Sequence, residues 1–280
     1  MTKTFNELNA VGNNLMIVDA LNMCFSFRGR KDFAEEYVSM VQSLRRSYKA
    51  KYVVMACDKG SSSYRKGIYP EYKQNRKDKF ELQTEAERLA FEEFFKEFER
   101  ALELLQEETD YPLLRFQGVE ADDIAAYICS ELSKYDVGHT WLISSDGDWD
   151  LLINDKVSRF SYVTRKEITE ENWNEHYEHS IEDYISIKCL TGDDGDNVAG
   201  VPGIGPKRAI SLVQEYGSTY DIIANLPISS KYKYITALNE FGADKLMLNY
   251  KLMDLVTYCE EAIGEENCLK IDQVLKNYLK

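Results

Sequence analysis

Hydrophobic and polar positions fall into two regimes along the chain. Over about the first 160 residues, short apolar runs alternate with stretches whose apolar positions recur every three or four residues. Leu15-Met-Ile-Val-Asp19 predicts a strand ending in a carboxylate. Phe33, Tyr37, Met40, Val41, Leu44 and Tyr48 form the stripe of an amphipathic helix. Tyr52 to Asp58 predicts a second strand, Leu113 to Phe116 a third and Thr140 to Ser144 a fourth. The third leads into Gly118-Val-Glu-Ala-Asp-Asp123 and a helix to Leu132, and the fourth into Ser145-Asp-Gly-Asp148. Strand and helix in repetition imply a parallel α/β sheet. After about residue 178 the strand signals fade and helices dominate, with a start near Ser180 and the turn Gly200-Val-Pro-Gly-Ile-Gly-Pro-Lys-Arg208. Pro206 suits the first turn of the helix that follows, which ends near Gly217.

In such sheets ligands bind at the carboxyl ends of the strands. The pattern therefore gathers acids from distant segments: Asp19, Asp58, Glu120, Asp122, Asp123, Asp146 and Asp148, with Asp193 and Asp196 following the later helix. Singly, each reads as a cap or a solvated loop acid, and Asp122 and Asp123 suit the first turn of a helix. Together they raise one another's ionisation cost, which cations must offset. An all-oxygen donor set selects hard ions such as Mg²⁺ or Mn²⁺. Two such ions activate a water and stabilise the leaving oxygen of a phosphoryl displacement. A metal-dependent phosphodiester site is the reading preferred over an aspartyl-phosphate phosphatase built on Asp146-Gly-Asp148, and over a DNA-binding protein without turnover.

Charge sharpens that picture. A net charge of −14 opposes nonspecific binding of a polyanion. Yet Lys59–Lys79 carries seven cations against two acids, with Tyr64, Tyr69 and Tyr72 interleaved. Aromatics among cations suit single-stranded nucleic acid. The Thr84-Glu-Ala-Glu87 capping box opens a long helix with the stripe Phe91, Phe94, Phe95, Phe98, Leu102 and Leu105. Gly203-Ile-Gly205-Pro-Lys207 fails the spacing of a nucleotide-binding loop; its glycines, beside Lys207 and Arg208, suit a turn that lets a nucleic-acid backbone approach. His176 and His179 lack the glutamate of a zinc-protease motif and read as surface residues, while Trp141 and Trp149 read as core. Six cysteines without a Cys-x-x-Cys pair point to reduced thiols in a cytoplasm. The polar opening, Met1 to Asn14, lacks the apolar core of a secretory signal, and no apolar run reaches the ~20 residues of a membrane span.

The motifs Gly118–Asp123, Ser144–Asp150, Gly192–Asn197 and Gly200–Arg208 resemble those of the flap endonuclease, or 5′-to-3′ exonuclease, family, nearest the stand-alone bacteriophage 5′ nucleases related to the N-terminal domain of bacterial DNA polymerase I. The resemblance spans Leu15 to about Tyr258. It implies a PIN-like α/β domain over residues 1–178, with a mostly parallel sheet and a helical arch at about 65–98. A mainly helical DNA-binding region is expected over 179–280, with a helix–three-turn–helix unit at about 181–217. It further implies cleavage of 5′ flaps near the single-strand/duplex junction and degradation from 5′ ends, leaving 5′-phosphates and 3′-hydroxyls, in replication, primer removal and repair. Asp19, Asp58, Glu120, Asp122, Asp123, Asp146 and Asp148 match the main acidic cluster, and Asp193 and Asp196 the distal pair. Lys73 and Arg76 would contact the scissile phosphate, with Tyr72 beside them on the DNA. Gly203, Gly205, Lys207 and Arg208 would grip duplex, with a potassium ion on the turn's carbonyls, and Lys188 and Lys231 would add backbone contacts. The implied partner is DNA with a 5′ flap or free end, an RNA–DNA primer included, met by a monomer in the host cytoplasm away from membranes. Asp194 is an extra acid relative to the pattern.

Overall fold

A computed structural model describes residues 12–280. The polar opening stretch lies almost wholly outside the described residues. Strands β1 (Asn14–Asp19), β2 (Ala50–Ala56), β3 (Leu113–Leu114), β4 (Thr140–Ile143), β5 (Val157–Ser161) and β6 (Lys166–Ile168) form one sheet in the order β3-β2-β1-β4-β5-β6. All neighbours are parallel except β5 and β6. Leu15 to Val18 are fully buried on both faces of β1, which is why that strand reads as an unbroken apolar run. Each such side chain contributes about 1.5–3 kcal/mol by leaving water.

The sheet's two faces are covered in turn. Helices α1 (Ala20–Cys24), α2 (Phe33–Ser47), α3 (Ser63–Ile68), α4 (Gln74–Glu81), α5 (Glu85–Glu108) and α6 (Ala121–Glu131) belong to the first half of the chain. On one face α2 and α5 enclose Phe33, Tyr37, Val41, Phe94, Phe98 and Leu105. The expected capping box holds α5, with Thr84 and Glu87 bonding reciprocally. On the other face α6 packs with two helices from the end of the chain, α11 (Leu255–Ile263) and α12 (Glu265–Tyr278), around Ile124, Ile128, Trp149, Ile263 and Ile271. The last two helices thus serve the core of the sheet, not that of the helical region before them.

Between these lies a smaller layer: α7 (Tyr184–Thr191), the hairpin β7 (Gly192–Asp193) and β8 (Val198–Ala199), α8 (Pro206–Tyr216), α9 (Thr219–Ala224) and α10 (Lys233–Met253), the last broken at Gly242. Its core is built from Ile187, Leu190, Val201, Ile204 and Leu212. Among the described residues no helix is long and apolar enough to cross a membrane. All six cysteines are free thiols.

Candidate active site

Sheet order reverses at β1, so the crevice opens at the carboxyl ends of β1 and β4, where open α/β sheets take ligands. A cleft of about 300 Å³ lies there, lined by Asp19, Asp58, Asp122, Asp146, Asp148, Asp193 and Asp196. Each acid is held by its local fold. Asp19 caps α1 through Asn22 N–H and accepts the Ser144 hydroxyl at 2.7 Å. Asp58, two residues beyond β2, accepts the Ala121 N–H at 2.9 Å and so caps α6 from another strand. Asp122 accepts the Trp149 indole N–H at 2.6 Å, and Asp146 accepts the Asp148 N–H at 3.0 Å. Trp149 is core as expected, yet its ring nitrogen also fixes a cleft acid; Trp141 is only partly buried, against Tyr48 and His139.

Glu120 stands just behind the cleft, bonded to Lys73 at 2.7 Å. Lys73 occupies a left-handed backbone conformation (φ 56°) immediately before α4, and its N–H donates to the Asp196 carbonyl at 2.9 Å. Arg76 donates to the Asp196 carboxylate at 2.6 Å and to the Gly195 carbonyl at 3.1 Å. Asn75 donates to the Asp194 carbonyl at 2.6 Å, and Asn197 donates back to the Glu71 carbonyl at 2.8 Å. The base of the cationic segment is therefore stitched to the distal acidic loop. Sequence reading did not single out Asn75, Asn197 or Ser144. Their signal is positional, since each lies within a few residues of an acid or cation already marked.

Eight carboxylates face Lys73, Arg76 and Lys188. Burial, then the charge of Asp58, holds Asp19 well above the usual carboxylate range; burial, then Asp146 and Asp19, does the same to Asp122. Burial also raises Asp58, and pushes Asp148 up to about 6 against the opposing pull of Lys188. For Lys73 and Lys188 burial is the largest single influence and opposes the charge, but the surrounding acids together outweigh it, Glu120, Asp196 and Asp122 for Lys73 and Asp148, Asp193 and Asp146 for Lys188, so both stay protonated. Among the described residues no three acids close on one point at direct coordination distance; Lys73 bridges Glu120 and Asp196, and Lys188 bridges Asp148 and Asp193. A cleft with excess negative charge, oxygen donors only and neighbours that suppress ionisation fits hard divalent ions held partly through water.

Several expectations need correction. Asp123 is not in the cleft: both its oxygens accept from Arg65, at 2.7 and 2.8 Å, in the protein interior. Consecutive residues on a helix point about 100° apart, and here Asp122 faces the cleft while Asp123 turns to Arg65. Arg65, counted among the seven cations of Lys59–Lys79, is likewise buried, on the short helix α3. Tyr72 is buried rather than presented to a nucleic-acid base; its hydroxyl lies 2.7 Å from Asp196 and 3.0 Å from Glu120. Lys188, expected to contact the DNA backbone, is engaged by two cleft acids, Asp148 at 2.5 Å and Asp193 at 3.5 Å. His176 and His179 are half-buried, and His179 stacks on Tyr184. The turn before α8 keeps Gly203 at φ 80°, and Lys207 and Arg208 are exposed, but Arg208 folds back to donate to the Gly203 carbonyl at 2.5 Å. Lys231 is exposed on the loop before α10. Asp194 is exposed in the distal loop, outside the lining of the cleft.

An open sheet that brings carboxylates from five chain segments to its carboxyl edge, beside a cationic helical segment, defines a metal-assisted phosphodiester hydrolase. The chain belongs to the 5′-3′ exonuclease family: residues 31–178 match its N-terminal resolvase-like domain and residues 179–275 its C-terminal SAM fold. It is 44% identical to the flap endonuclease of Escherichia phage T5 over 95% of this chain and 92% of that protein. It is 28% identical to the 5′-3′ exonuclease of Aquifex aeolicus over 87% of this chain and 78% of that protein. The crystal structure of the T5 D15 protein with metal ions superposes with a TM-score of 0.89, covering 95% of this chain and all of that one. A D155K pseudo-enzyme–product complex of the T5 flap endonuclease with DNA and metal ions, 42% identical, gives the same score over 95% and 99% of the two chains.

Proposed function

We propose that this protein is a divalent-metal-dependent 5′ nuclease that cuts 5′ flaps on DNA near the single-strand/duplex junction and degrades from 5′ ends. The observation that carries the reading is the single cleft in which acids from five segments meet Lys73 and Arg76. Asp19, Asp58, Asp122, Asp146 and Asp148 would hold Mg²⁺ or Mn²⁺ on the strand side, with Glu120 acting through Lys73 or water, and Asp193 and Asp196 on the distal side. Two such ions supply a water nucleophile at neutral pH and charge stabilisation for the leaving oxygen.

The chain's own residues do the rest. Ser144, Trp149 and the Ala121 N–H fix the directions of Asp19, Asp122 and Asp58, so the donor set is organised before substrate arrives. Lys73 and Arg76 lie at the mouth of the cleft and are the cations that meet the scissile phosphate. There they would exchange Glu120 and Asp196 for phosphate oxygens while water adds to phosphorus and the P–O3′ bond breaks, the 3′ oxygen leaving as a hydroxyl and the phosphate staying on the 5′ side. Next to this cleft a second cavity of about 470 Å³, lined by Lys66, Lys77, Phe80 and Phe91, suits a single-stranded 5′ end within the arch at about 65–98. Gly203, Gly205, Lys207, Arg208 and Lys231 would hold the duplex by its backbone. A potassium ion on the turn would displace Arg208 from the Gly203 carbonyl. The division at residue 178, the monomeric state, the host cytoplasm and action on RNA–DNA primers belong to the same proposal.

The test is a labelled 5′-flap substrate incubated with protein in Mg²⁺ or chelator. Cleavage at the junction with metal alone is expected, and robust scission after complete chelation would overturn the reading. Asp146→Asn should lower single-turnover cleavage by at least about 100-fold while leaving folding and DNA binding intact. An unchanged rate would remove Asp146 from the site. A phosphorylated aspartate trapped during turnover would favour the phosphatase alternative.

A further inference from the structure

Behind the acid loop that carries Asp146 and Asp148 lies an aromatic cluster that the chemistry above does not use. Tyr184, the first residue of α7, stacks on His179 with ring centroids 5.4 Å apart and meets Trp173 edge-on at 5.7 Å. Its ring is locked, and its hydroxyl donates to the Gly147 carbonyl, between the two acids, at 3.2 Å. One helical turn further, Lys188 donates to Asp148 at 2.5 Å. Residues four apart on a helix share a face. Two side chains of one helix therefore grip the backbone and the carboxylate of the same short loop. At its other end α7 is tied to the duplex-facing turn, because the Val201 N–H donates to the Leu190 carbonyl at 2.8 Å.

We infer that Tyr184 is a positioning residue: with Lys188 it clamps the Asp146–Asp148 loop to α7, so that the geometry of the divalent-ion site depends on the helix that leads to the duplex-binding turn. The inference rests on the function proposed above. A helix of eight residues is about 12 Å long and stiff. A displacement of the turn at Val201 is thus delivered to Gly147 and Asp148 with little loss, and correct seating of duplex orders the acids that hold metal.

Tyr184→Phe keeps the stacked ring and deletes only the donor. In single-turnover flap cleavage, the Mg²⁺ concentration for half-maximal rate should rise several-fold, with the saturating rate within twofold of the native value. Calorimetric titration of the DNA-free variant with Mn²⁺ should show affinity lowered by a similar factor. Tyr127→Phe, which loses a hydroxyl bonded to Asp272 far from the cleft, should leave both measurements unchanged. In an Asp148→Asn background the Tyr184→Phe substitution should lower Mn²⁺ affinity by a smaller factor than in the native protein, because one of the two acids on the clamped loop is gone. Native Mg²⁺ and Mn²⁺ dependence in Tyr184→Phe would overturn the clamp, and so would an undiminished effect in the Asp148→Asn background. Failure of the native protein to cleave would instead strike the proposed function, while the Mn²⁺ titration would still judge the clamp.

Discussion

Arg65 and Asp123 show how much one side chain's surroundings change its meaning. Both sit among residues whose type and spacing suit nucleic-acid or metal chemistry, yet they pair with each other in the interior, and Arg65 also donates to the Leu252 carbonyl at 2.8 Å. Removing one partner of a buried pair leaves an uncompensated charge, at a cost of about 3–5 kcal/mol. Arg65→Met should therefore lower stability by about that much in denaturant unfolding, and Arg65→Met/Asp123→Asn should recover part of it. Equal stability of the single and double variants would show that Asp123 carries no buried charge. The strand acids, by contrast, were legible at this scale. A carboxylate closing an apolar strand has one place to go, as Asp19 and Asp58 show. Side-chain direction on α6 was legible only to the extent that adjacent helical residues diverge, which separates Asp122 from Asp123 without saying which turns inward.

At the scale of elements, β1 to β4 were readable because each lies in an apolar-rich run, whereas β5 was not. Ser158, Arg159 and Ser161 break its pattern and are nevertheless buried, since Arg159 is satisfied by Asp150 at 2.5 Å and by the Ser144 carbonyl at 3.0 Å. The β7–β8 hairpin was hidden for a different reason: two residues per strand carry no periodicity. Its geometry is nonetheless strict. Gly192 has φ 73°, and a Cβ there would lie 2.2 Å from the Gly200 nitrogen. Gly192→Ala should displace the loop bearing Asp193 and Asp196, costing roughly 2 kcal/mol or more of stability and lowering flap cleavage. Gly205, with open space around its Cα and a negative φ, is the contrast. Gly205→Ala should melt with the native protein but bind duplex more weakly, and native duplex affinity would exclude a backbone approach at this turn. Lys207→Ala, on the same turn, should reduce the salt dependence of duplex binding by up to roughly one unit of slope. An unaltered slope would take Lys207 off the interface.

For the molecule as a whole, the question is how a chain of net charge −14 holds a polyanion. Cations are concentrated in the segment around Lys66–Lys77 and at the α8 turn, but seven carboxylates line the cleft where a phosphate must come, opposed by Lys73, Arg76 and Lys188. Without divalent ions the cleft should repel the very linkage it cuts. Asp193 isolates this effect, because its main bonds are an ion pair with Lys188 at 3.5 Å and acceptance of the Asp196 N–H at 3.2 Å, and an asparagine oxygen still accepts the latter. Asp193→Asn should therefore tighten binding of a 5′-flap DNA in chelator by about two- to fivefold, the effect of removing one unit charge from within a Debye length of the backbone. In Mg²⁺ the same substitution should give no such gain, since the charge it removes is one the metal would have compensated. Fluorescence anisotropy in the two buffers measures both values at one ionic strength. Weaker binding in chelator would mean that the distal loop holds DNA through Lys188 and Arg76 once Asp193 has oriented them, and that order rather than charge governs the approach of the phosphate.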